Sequence, residues 1–117
     1  MRAVSISLAA IALALSAGTA SAQSRDQDFN EAVTCAASLQ VLALASPGWS
    51  REPGVAQATN LWLARVFALA PKAGADEARA RDIVREAMDA QVAAAANDPA
   101  GLSRRAAQCA ANPPSGR

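Results

Sequence analysis

Two cysteines, Cys35 and Cys109, carry most of the chemical potential of a 117-residue chain that holds no histidine and no tyrosine. Such thiols can serve as nucleophiles, as metal ligands or as halves of a disulfide. A cysteine nucleophile needs a neighbouring base, usually histidine, to generate its thiolate, and the chain has none. Two distant thiols do not make a tetrahedral zinc set. Neither a C-x-x-C redox motif nor a C-x-x-C-H haem attachment occurs. The reading that remains is a structural Cys35–Cys109 bond, with a free or intermolecular thiol as its alternative.

Other reactive groups are sparse. Asp82 and Glu86 share a helical face, but Arg85 lies between them, so they read as surface charges. No phosphate-binding loop or dinucleotide fingerprint is present. Met88 would be the one methionine left once a leader containing Met1 is removed. Haem held between helices usually needs histidine as well. The expectation is therefore no enzyme, no catalytic residue, no cofactor and no metal.

Disulfides persist outside the cytosol, and the first residues point there. Arg2 supplies a short positive region. Val4 to Leu15 is an apolar run broken only by Ser5 and Ser7. Ala20-Ser21-Ala22 then forms a small-residue cleavage pattern before Gln23. This is the anatomy of a secretory signal peptide. The run is shorter than the roughly 20 apolar residues a spanning helix needs. Residues 1–22 are expected to be removed, leaving 23–117 as a single helical domain in the periplasm or secreted. Removal of Arg2 turns the 11 basic residues into 10, against 10 acidic ones. A neutral chain lacks the basic excess of a nucleic-acid binder and the polybasic cluster of a membrane-surface protein.

What must position the cysteines is a set of helices. Sustained apolar–polar alternation is absent, and alanine, the strongest helix former, dominates. The spacing predicts an all-α antiparallel bundle of about four helices, over 28–45, 55–70, 75–96 and 99–111, with a disordered tail over 112–117. In the first, Asp26 or Asp28 is placed to cap. One stripe is Phe29, Ala32, Ala36, Leu39 and Ala43, and a second is Val33, Ala37, Val41 and Leu44. A helix apolar nearly all round is interior or faces a partner. Val41 and Leu44, with Trp49 in the loop "SPGWSREPG", are therefore the candidate partner surface.

The second helix aligns Trp62, Val66 and Leu69 beside Leu63, Phe67 and Ala70, a broad core face. The third carries Ala80, Ile83, Val84, Ala87, Met88 and Ala95, with Val92 beside them. Its opposite side is charged, with Glu77–Arg81 and Arg85–Asp89 at ion-pair spacing. Asp98 followed by Pro99 is a strong start for the fourth. Leu102, Ala106 and Cys109 share one face there, which puts the thiol on the buried side.

In gross plan the chain resembles the small periplasmic acid-stress chaperones: exported, all-helical, of similar size and with one disulfide. The resemblance covers architecture, and no functional residue transfers with it. The function expected is a non-enzymatic protein-binding or assembly factor, whose partner is another envelope protein or a second copy in a homodimer. The alternatives are an acid- or stress-activated chaperone and a carrier of a small apolar ligand. No stable membrane insertion is expected after the leader is removed.

Overall fold

The computed structural model describes residues 26–114, and the chain within them is all helical with no strand. Among the described residues, helix α1 covers 26–45. It is followed by α2 (Val55–Leu69), α3 (Glu77–Asn97) and α4 (Pro99–Ala111). Two short 3₁₀ turns, Trp49–Arg51 and Pro71–Ala73, punctuate the connections. The expected four-helix bundle is present, with boundaries that shift by up to two residues. The expected signal peptide over 1–22, including Ala20, Ala22 and Gln23, lies outside the described residues.

Each boundary has a local cause. Asp26 and Asp28 both fall inside α1 rather than capping it. Helix α2 stops at Leu69, one residue before the expected end, because Pro71 opens a 3₁₀ turn. That turn closes as a Schellman motif: Ala75 N–H donates to the Ala70 carbonyl at 2.9 Å, and Gly74 N–H donates to that of Pro71 at 3.1 Å. Gly74 sits at φ 80°, a conformation that favours a residue without Cβ. Helix α3 starts at Glu77 instead of 75, since the Asp76 carboxylate accepts from Arg79 N–H at 2.7 Å and caps it. It ends at Asn97 instead of 96. Asp98 then caps α4 by accepting from Gly101 N–H at 3.0 Å, with Pro99 in the first turn. Of the tail expected over 112–117, Asn112 returns its Nδ2 to the Gln108 carbonyl. Residues 115–117 lie outside the described residues.

The helices run up, down, up and down. Around the Asp98 corner, Gln91 of α3 bonds to Arg105 of α4, seven residues to either side. The start of α1 faces the end of α2, since Asp28 shares a recess with Arg65, Leu69 and Lys72. It also faces the end of α4, since Asp28 and Glu31 share another with Asn112 and Pro114. Their common core contains Phe29, Leu39 and Leu42 of α1, Trp62 and Val66 of α2, Val84 of α3 and Leu102 of α4. Ala32, Ala36, Ala80 and Ala106 are fully enclosed between them. Such small side chains let helix axes approach closely while contributing little apolar area each.

Helix lengths decide what remains uncovered. Helix α3 has 21 residues and α2 has 15. At 1.5 Å per residue, α3 is about 9 Å longer than its neighbour. The excess falls at the end where α1 finishes and α3 turns into α4. The 46–54 connection fills part of that step. Val92 is left exposed there, as is Leu44 at the end of α1. On α2, Phe67 lies partly outside the core face expected to hold it. Its neighbours on the two predicted stripes, Trp62, Val66 and Ala70, are buried.

Candidate functional site

The cysteines are brought together from helices distant in sequence. Cys35 lies on α1 and Cys109 near the end of α4, with bonded sulfurs and Cα atoms 5.5 Å apart. That separation is ordinary for a disulfide. Both residues are buried. The bond joins the first described helix to the last, across a sequence separation of 74. Beside it, Trp62 Nε1–H donates to the Cys109 carbonyl at 2.9 Å, a buried bond from α2. Three helices therefore meet at one point, and the indole N–H is satisfied there, as a buried donor must be.

A groove of about 450 Å³ opens beside this junction. The disulfide and Trp62 form its floor. Glu31 and Thr34 rise from α1 on one side, and Arg105, Gln108 and Asn112 from α4 or just beyond it on the other. A recess of about 270 Å³ adjoins it, sharing Glu31, Trp62 and Asn112. The groove falls within the size range of small-ligand sites.

Arg105 is held in place within that wall. Its Nε and Nη2 donate to one acceptor, Gln91 Oε1, at 3.1 and 2.8 Å. Glutamine is neutral, so the guanidinium charge stays uncompensated by it. The arginines of α3 differ. Arg79 pairs with Glu86 at 3.1 Å, Arg81 with Glu77, and Arg85 with Asp82 at 3.4 Å. The last replaces the expected Arg85–Asp89 pair: an i, i+3 partner on the same face captured the guanidinium. On α4, Arg104 lies 3.7 Å from Asp98. These pairs are exposed and contribute little to stability. Among the described residues, no carboxylate lies within ion-pair distance of Arg105.

The candidate partner surface is divided by the structure. Val41 is 5% exposed and belongs to the core, a correction to its place on that surface. Its stripe turns inward, between α1 and the rest of the bundle. Leu44, three residues on, is 77% exposed. Trp49 is half-buried against the core, and its Nε1 has no hydrogen-bond partner among the described residues. Val92, 59% exposed, adds a residue that the α3 stripe had placed beside the core. The groove, too, was missed in sequence: its polar residues are scattered over two helices and share no motif.

Among the described residues, no cluster of three or more cysteine or acidic side chains is placed to hold a metal ion. None of the described helices is long and apolar enough to cross a membrane. No protein-family model, curated protein or solved structure matches this chain.

Proposed function

We propose that the chain is an exported, non-enzymatic helical protein that works by binding another protein of the same compartment. The observation that carries this reading is the apolar end of the bundle, where Leu44 and Val92 face outward at 77% and 59% exposure. The half-buried Trp49 lies in the connection at the same end. Tryptophan is among the residue types enriched at binding hot spots. The paired cysteines support an oxidising compartment, as does the leader-like pattern ending at Ala22. The doubly substituted Leu44→Asp, Val92→Asp protein tests the assignment by in-envelope cross-linking. Wild type should form a discrete cross-linked complex that the variant loses while keeping its helical circular dichroism. An unchanged complex in the variant, or none in wild type, would contradict it.

The groove beside the disulfide favours a second reading, a carrier of a small ligand. Its volume and its apolar floor under a polar rim suit a bound molecule. The acid-activated chaperone reading finds less support, because the ion pairs seen are exposed and weakly stabilising.

A further inference from the structure

The geometry points to a thiol-exchange site: the Cys35–Cys109 bond is open to attack by a small thiol from the groove between α1 and α4 while the protein stays folded. This assignment goes beyond the partner-binding reading and does not depend on it.

The first observation is where the bond lies. The core faces of α1 and α4 are closed, with Ala32, Ala36, Leu39 and Ala106 fully enclosed. Cys35 and Cys109 differ, keeping 8% and 7% exposure. Both line the groove of about 450 Å³. The residue before each, Thr34 and Gln108, is exposed and lines the same groove. The disulfide therefore sits on the seam between core and solvent, one residue from a polar surface position on each helix.

The second observation is what stands over it. Glu31 and Thr34 flank the bond from α1, and Gln108 and Asn112 from the other side. All four are exposed. Asn112 turns its Nδ2 back to the Gln108 carbonyl. Among the described residues, no side-chain hydrogen bond joins the two walls across the groove. The polar residues rim the bond without latching a cover over it.

Exchange needs an attacking thiolate, a sulfur it can reach and a thiolate that leaves. A small thiol of the glutathione class supplies the first, and the groove supplies the approach. The incoming thiolate sulfur bonds to one cysteine sulfur and the Cys35–Cys109 bond breaks. Its electron pair leaves on the other cysteine, which takes a proton from water. A second thiol then attacks the mixed disulfide. In sum, two small thiols are oxidised to one disulfide, and both cysteines are reduced to thiols. Helix α1 is thereby released from α4 without prior unfolding, so the bond is a clasp that thiol chemistry operates.

The test is the rate at which dithiothreitol reduces the oxidised protein without denaturant, read as the mass gained on alkylation with iodoacetamide. The rate should rise in proportion to dithiothreitol concentration with no plateau. Leu39→Ala raises the unfolded population at least about 30-fold. It should change the reduction rate by less than about threefold, because attack on the folded protein does not draw on that population. Gln108→Trp and Thr34→Trp, each at an exposed position on one wall, should slow reduction at least about fivefold by blocking access, with helical circular dichroism unchanged. A plateau at high thiol, or a rate about 30-fold higher in Leu39→Ala, would mean that unfolding gates the reaction and would overturn the proposal. Reduction seen only in urea, or a rate unchanged in both wall variants, would overturn it as well.

Discussion

Trp62 and Trp49 occupy two regions built from the same alanine-rich helices, with opposite results. Around Trp62 three helices converge, a disulfide joins two of them, and the indole is 6% exposed with its N–H bonded. Around Trp49 there is a connection instead of a fourth helix wall. The indole is half-buried, its N–H has no partner among the described residues, and Leu44 at the same end lies open. Alanine accounts for both outcomes. Where helices are fastened, small side chains permit close approach and complete burial. Where the lengths of α2 and α3 differ, small side chains cannot bridge the step, and the few large apolar residues stay uncovered.

The contrast is broken most severely by cutting the fastening. Paired Cys35→Ser and Cys109→Ser substitutions release a closed loop of about 75 residues. The chain-entropy estimate for a loop of this length is about 4 kcal/mol. Urea unfolding followed by tryptophan emission should show that loss, a large share of the roughly 5–15 kcal/mol typical of a domain. Next come paired truncations in α1. Leu39→Ala, at a fully enclosed position, should cost about 2–5 kcal/mol. Leu44→Ala should change stability by no more than about 0.5 kcal/mol. Equal effects would mean that α1 is covered along its whole length.

Much of the clasped region was legible in the sequence. Cysteine count, missing histidine and the leader-like start favoured a structural bond between Cys35 and Cys109 over a free or intermolecular thiol. The i, i+4, i+7 spacing of Leu102, Ala106 and Cys109 placed the thiol inward, where it lies. The open region was less legible, because periodicity reports which residues share a face and not whether anything covers that face. Val41 and Leu44 belong to one stripe, yet one is core and the other solvent. Val92 and Phe67 were grouped with core faces and lie at their edges. The groove was invisible, since it depends on which residues of α1 and α4 the disulfide brings opposite each other. The Gln91–Arg105 bond likewise needs the antiparallel corner at Asp98.

The tryptophans themselves give a smaller and sharper comparison. Trp62→Phe removes the N–H that satisfies the Cys109 carbonyl, and should cost about 1–3 kcal/mol for the orphaned acceptor. Trp49→Phe removes no hydrogen bond seen here, so its cost should be at least about 1 kcal/mol smaller in the same unfolding measurement. Ser38 provides the smallest effect and the opposite sign. Its hydroxyl is fully enclosed on α1 without a partner among the described residues. Ser38→Ala should raise stability by about 1 kcal/mol, through removal of an unsatisfied polar group and through better helix propensity. A loss on that substitution would mean that the hydroxyl is bonded in solution.

Non-reducing peptide mapping of the protein purified from its host tests the fastening of α1 to α4 most directly. Trypsin should release residues 26–51, containing Cys35, joined to residues 106–117, containing Cys109, as one species that separates on reduction. Recovery of the two fragments unlinked, with both thiols open to alkylation before reduction, would contradict the account.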